Sequence, residues 1–188
     1  MRRVLFSQEN LPLEEILEWY SDTLLSLNVH MEHIIDSLLT DADIPEKFIG
    51  MTPVEIHHHF DDLRRELELL TCFDLLAATE AWLRIDFLRR VYDKRKDDLS
   101  KLFRGVYKEW GLKTNLSEHI LQHWVHVNPS TKIIIGDFRS ALGFRHWLAH
   151  GRYWTPKLGR IYDVNGVFRI AAQLISELQK TYSSEALP

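Results

Sequence analysis

The strongest constraint on this 188-residue chain is the spacing of its apolar residues. Leu13, Ile16, Leu17, Tyr20, Leu24, Leu27, Met31, Ile34 and Leu38 recur at three- and four-residue intervals. That is the period of one face of a helix, held over about seven turns. The same period returns through Leu63, Leu67, Leu70, Leu76, Ala77, Leu83, Phe87, Leu88 and Val91, and again through Val167, Ile170, Ala171, Leu174, Ile175 and Leu178. Only the run KIII near 132 has β character, and it leads straight into helical spacing. The expectation is an all-α fold, an antiparallel bundle of four to six helices.

Punctuation between the periodic stretches divides the chain. A first helix is expected at about 12–40, with Pro12 in its first turn. The stretch TDADIPEKFIGMTP, with two prolines, a glycine and several acids, reads as a connection. From about Val54 to Lys96 the spacing is helical again. A single forty-residue helix would extend roughly 60 Å. The alternative is a break near Thr71–Asp74 with Asp74 capping a new start, and the sequence leaves both open. Shorter helices are expected at 98–110 and 117–127, separated by Gly111 and Asn115. Another is expected at about 131–150, stopped by Gly151. TPKLGRIYDVNG reads as a loop or short hairpin before a last helix at about 164–182. The length fits one domain over 1–188, with its core at about 54–182.

Composition excludes several classes. Hydrophobic residues at 45% suffice for a real core. The chain has no apolar run of membrane-spanning length, and no adequate apolar stretch follows MRRVLF, so neither a membrane partner nor a secretory signal is expected. Cys72 is the sole cysteine, which rules out an intrachain disulfide and makes a reducing cytoplasm the expected compartment for what reads as a buried, inert thiol. The net charge of −4 is unevenly spread. Residues 41–80 carry ten acids and three basic residues, whereas 139–160 carry five basic residues and no acid. Residues 84–104 are also net basic, with eight Lys/Arg against four Asp. By itself that last stretch reads as solvated helix faces. Around 139–160 a polyanion would find an attractive region on a mildly acidic protein.

The chemistry-bearing segment is FRSALGFRHWLAHGRYW, residues 138–154. It sets Arg145, His146, His150 and Arg152 around the end of one helix. Imidazole exchanges a proton near neutral pH, and the guanidinium fork matches two phosphate oxygens. Together these groups suit phosphodiester cleavage, one moving a proton and the other stabilising charge on the phosphoryl oxygens. On an ideal helix Arg145 and His150 stand about 140° apart, whereas His146 and His150 share a face. Without further context, an arginine and a histidine near a helix C-terminus more often form a structural pair complementing the helix dipole.

The run RHWLAHG resembles the Arg-x4-6-His signature of the HEPN superfamily (higher eukaryotes and prokaryotes nucleotide-binding). The continuation Gly151-Arg152-Tyr153-Trp154, with Lys157, Gly159, Arg160, Tyr162 and Asp163, is similar to the RiboL-PSP-type HEPN domains of bacteria. The upstream text EAWLRIDFLRRVY, from Glu80 on, resembles the second helix of that subgroup. The likeness covers roughly residues 73–175. It implies a bundle of four or five helices that pairs as a homodimer, with signatures from both copies facing one cleft. It also implies an endoribonuclease that needs no metal or other cofactor, acting as a toxin or phage-defence effector, with an antitoxin or sensor protein as a further partner. On that resemblance Arg145 and His150 match the catalytic pair, His146 orients them or shares the proton transfer, and Glu80 is the supporting acid. Arg152, Tyr153, Lys157 and Arg160 would contact the RNA. The family commonly has Asn or Asp where this chain has His146. A toxin branch carries Arg-x4-His-x-Tyr, but Tyr153 falls one residue too late for it, which favours a core or base-stacking role. The rival reading is a non-catalytic HEPN module that binds nucleotides or a partner protein.

The remaining histidines are weaker candidates. His119, His123 and His126 lie at i, i+4 and i+7 and would line one helix face, but no cysteine or acid completes a zinc set at an obvious spacing. His57, His58 and His59 read as a polar helix surface or interface. No metal site is expected.

Overall fold

In a computed structural model, which describes residues 3–40 and 43–185 with side chains through 180, the chain is an all-helical bundle. Six α-helices are formed among the described residues: α1 (Leu13–Leu39), α2 (Pro53–Tyr92), α3 (Asp98–Trp110), α4 (Gln122–Val127), α5 (Lys132–Ala149) and α6 (Val164–Glu185). No strand occurs among these residues, and Ile133, Ile134 and Ile135 of the KIII run lie in the first turn of α5. No helix among them is long and apolar enough to cross a membrane. Of the expected connection after α1, positions 41 and 42 lie outside the described residues. The remainder holds a 3-10 turn at Glu46–Phe48.

The chain forms two compact units, Glu14–Thr71 and the remainder. The first has its own core, in which Ile34, Phe48, Ile56 and Phe60 are buried with Leu27, Met31 and Leu38 packed against them. Phe48 and Phe60 stack with centroids 6.0 Å apart, and His30 and His59 meet their rings edge-on. Arg64 ties α2 to α1 by donating from Nε to Asn28 Oδ1 at 2.9 Å. The start of α2 is a capping box. Glu55 Oε2 accepts from the Thr52 backbone N–H at 2.7 Å, Thr52 Oγ1 accepts from the Glu55 N–H at 3.3 Å, and Pro53 occupies the first helical position. The bond from the Thr52 amide holds the Glu55 carboxyl below its ordinary range.

Helix α2 settles the alternative left open by the sequence. It runs unbroken over 40 residues, and Asp74 caps nothing. The stretch 54–92 contains neither Gly nor Pro, so the backbone has no intrinsic stop. Thr71 and Thr79, weak helix formers, donate their hydroxyls to the carbonyls of Leu67 and Leu75 one turn back. Leu75, Leu76, Leu83, Phe87 and Val91 are buried, whereas Leu63 and Leu70 remain exposed.

In the second unit, buried Leu99, Phe103 and Tyr107 line one face of α3, and Phe87 meets Phe103 edge-on at 4.9 Å. Asp97 caps α3 by accepting the Ser100 N–H at 2.9 Å. Burial of Arg90 beneath this junction is made tolerable by Asp86, Asp97 and Ser100, all within hydrogen-bonding distance, and by the face of Trp124 at 5.0 Å. Helices α5 and α6 pack together. From α6, Val164, Val167, Ile170, Ala171, Leu174 and Leu178 are buried, and Asp163 caps it through the Gly166 N–H. Each large apolar side chain in this seam stabilises the fold by roughly 2–5 kcal/mol, judged by the usual cost of its truncation.

Candidate functional site

The end of α5 is shaped by its terminus. Gly151 takes a positive φ of 78°, which a glycine adopts without a Cβ clash. Its N–H reaches the Leu148 carbonyl at 3.4 Å and the next N–H, from Arg152, reaches the Trp147 carbonyl at 3.2 Å. This is a Schellman closure. Trp147 Nε1 donates to the Trp154 carbonyl at 2.7 Å and folds the following turn back against the helix. His150 therefore leaves helical geometry, at φ −97° and ψ 20°, while His146 stays on the last regular turn and Arg145 lies just before it.

Arg145 projects toward α2. Its Nη2 lies 3.4 Å from Glu80 Oε2, and its guanidinium lies 5.4 Å from the Phe73 ring centroid. Glu80 also accepts from Arg84 Nε at 2.8 Å, and Arg84 Nη1 donates to the Thr114 carbonyl at 3.2 Å. These groups border an open cleft of about 610 Å³, closed on the other side by residues 112–117. Asn115 shapes that edge by capping the π-helical turn Leu116–Leu121. Arg139 holds it by donating to the Ser117 carbonyl at 2.7 Å. Cationic Arg84, Lys113 and Arg145 thus face the cleft, with Glu80 as the one carboxylate in its lining among the described residues.

Of the residues expected from the sequence, Glu80, Arg145 and His146 come together in this cleft. His150 is not in the lining, but its ring centroid is 4.2 Å from that of His146, so the two imidazoles form a pair at the rim. That proximity follows from the four-residue spacing, which puts His146 and His150 on one face of the helix. Trp154 lies 5.8 Å from His146, and exposed Tyr153 meets Trp154 edge-on. Arg152 and Lys157 are exposed in the same turn and loop. Arg160 is elsewhere. It is paired with Asp137, a bond that keeps its guanidinium pKa raised, and lies near the Tyr162 ring. Asp137 precedes Arg145 by about two turns of α5, roughly 12 Å along the axis.

Arg84 and the edge formed by 112–117 were not foreseen. Arg84 stands four residues after Glu80 in a helix, so the i, i+4 pairing rule would have found it. His119, His123 and His126 do not assemble. His119 accepts the Asn115 N–H at 3.0 Å and stacks on Trp110, His123 bonds the His119 carbonyl, and His126 is exposed. Among the described residues no group of three or more His, Cys, Asp or Glu is placed to hold a metal ion.

The cleft offers guanidiniums held in place without being buried, beside a pair of imidazoles. Such an arrangement can seat a phosphate diester and move protons beside it. Comparison of the chain with family models, curated proteins and solved structures finds no match.

Proposed function

We propose that this cleft binds RNA and cleaves it as an endoribonuclease of the HEPN type, without need of a metal. The observation that carries the reading is the convergence of Arg145, His146 and Glu80, from two helices, on one open cleft with His150 against His146. Arg145 and Arg84 hold the scissile phosphate. One imidazole of the His146–His150 pair takes the proton of the 2′-hydroxyl as its oxygen attacks phosphorus. The other protonates the departing 5′-oxygen as its bond to phosphorus breaks. The products are a 2′,3′-cyclic phosphate and a 5′-hydroxyl, and dependence on the 2′-hydroxyl confines cleavage to RNA. Glu80 positions both arginines. Arg152, Tyr153 and Lys157 extend the contact surface along the strand. The same resemblance makes the active form a homodimer and its setting that of a toxin or defence effector restrained by a partner protein.

The test is cleavage of end-labelled RNA with EDTA present. Wild type is expected to cut and to leave a cyclic phosphate. A substrate with a single 2′-deoxy position should resist cutting there, and Arg145→Ala and His146→Ala should each fall by about a hundredfold or more. RNA or nucleotide binding without cleavage under any condition would transfer the protein to the non-catalytic reading. Light scattering reads the dimer directly.

A further inference from the structure

A second cavity lies at the C-terminal end of α2, where its last turn meets α3 and the N-terminal segment. It measures about 570 Å³, within the roughly 300–1,000 Å³ range of small-molecule sites. Its floor is aromatic and aliphatic, from Val91, Tyr92 and Tyr107. Its remaining lining is cationic, from Arg3, Lys94, Arg104 and Lys108, and no carboxylate lines it among the described residues.

The details show a formed site. Arg3 donates to the Tyr92 carbonyl at 3.0 Å and lies 5.3 Å from its ring centroid, while the Val4 N–H donates to the Tyr92 hydroxyl at 3.1 Å. Arg104 is fixed by donating to the Arg95 carbonyl. The Tyr92 and Tyr107 rings stand edge to face, 6.0 Å apart. A hydrogen bond to Tyr92, reinforced by burial, pushes the Tyr107 phenol up. Among the described residues nothing pairs with the ammonium groups of Lys94 and Lys108. Four cations around carbon walls repel one another and focus a positive field into the cavity, an arrangement that an anion relieves.

We propose that this cavity binds a nucleoside phosphate, with the base against the tyrosine rings and the phosphate on Lys94, Arg104 and Lys108. The aromatic floor favours a flat body and the cationic rim an anionic end, and a nucleotide carries both. The site lies apart from the Arg145 cleft and its occupancy does not depend on RNA cleavage.

Calorimetric titration of the full chain tests this, using Arg145→Ala protein to weaken the cleft, with the lysine variants below assigning the remaining signal to the cavity. Adenosine 5′-monophosphate should bind. Ribose 5-phosphate, which lacks the base, should bind about five- to a hundredfold more weakly. Lys94→Asn and Lys108→Glu should each weaken the nucleotide by about tenfold, with unchanged thermal unfolding, and Lys108→Arg should retain it. Asparagine is chosen because Lys94 has a φ of 51°, which that residue tolerates. A 5′-phosphorylated trinucleotide separates a free nucleotide from the end of a strand. Tighter binding of the trinucleotide assigns the site to strand ends, and weaker binding assigns it to monomers. Equal binding of ribose 5-phosphate, unaltered binding by both lysine variants, or no binding of the monophosphate and the trinucleotide at millimolar concentration would overturn the proposal.

Discussion

Helix α2 serves two arginine–carboxylate clusters, and they are opposites. Arg90 is 2% exposed and its donors meet Asp86, Asp97 and Ser100. Arg145 is 31% exposed, and its contact with Glu80 is long, at 3.4 Å. In the first cluster the protein supplies what a ligand would, and the enclosed guanidinium acts as a strut. In the second the charge is held loosely enough, and wetly enough, for a phosphate to compete for it. The same side-chain chemistry becomes scaffold or site according to how completely its neighbours satisfy it.

The comparison is broken most directly by Arg90→Ala. Two aspartates would lose their countercharge in a nearly closed environment, and the expected cost is about 3–5 kcal/mol of unfolding free energy, read from urea titration. Cleavage per folded molecule should not change. A loss below about 1 kcal/mol would mean that Arg90 is as loosely held as Arg145. Arg145→Ala should invert the pattern. Stability should move by no more than about 1 kcal/mol, because the pair is partly solvated, while cleavage falls by about 10²–10³. A variant that unfolds instead would assign Arg145 to the scaffold.

Asp97 sharpens the contrast through pH. Burial raises its pKa, but the Ser100 hydroxyl and amide and the charge of Arg90 outweigh burial, so the net shift is downward. A carboxyl whose folded pKa lies below its unfolded value contributes stability in full above the unfolded value, about 3.9. That contribution is lost as pH falls through the folded value. The urea midpoint should therefore drop below about pH 4, and Asp97→Asn should flatten that drop. At neutral pH the same substitution should cost roughly 1–2 kcal/mol, because asparagine still caps α3 but no longer answers Arg90 with a charge.

Much of the helical framework was legible in the residues. The three-and-four spacing of Val167, Ile170, Leu174 and Leu178 reports a face that burial must select. Gly111 and Gly151 mark helix ends because both take positive φ. The continuity of α2 was not legible, since Thr71 and Asp74 are compatible with a break until the threonine hydroxyl is seen bonding back to Leu67. In the site, local spacing named the arginine and histidines but said nothing of their partners. Glu80 entered through the resemblance, and no helical wheel would have joined it to Arg145. Arg160 shows the converse. It lies in a stretch that counts as basic, yet its charge is answered by Asp137, which a count over residues 139–160 cannot include.

The finest test is Glu80→Gln. Its carboxylate touches both Arg84 and Arg145, whose side chains are 40% and 31% exposed, so the amide should alter stability by less than about 1 kcal/mol. Two effects on RNA then oppose each other. Removing the negative charge from the cleft should tighten binding by a few-fold, and it should steepen the dependence of log affinity on log salt by up to about one unit if one more cation meets phosphate. Loss of the ionic tether should leave Arg145 less well placed for the transition state, so the single-turnover cleavage rate should fall by a few-fold even as affinity rises. Opposite movement of affinity and rate is the signature of a carboxylate that positions arginines also used by the substrate. If both fall together with stability, Glu80 is a strut like Asp86, and the distinction between the two clusters fails at its narrowest point.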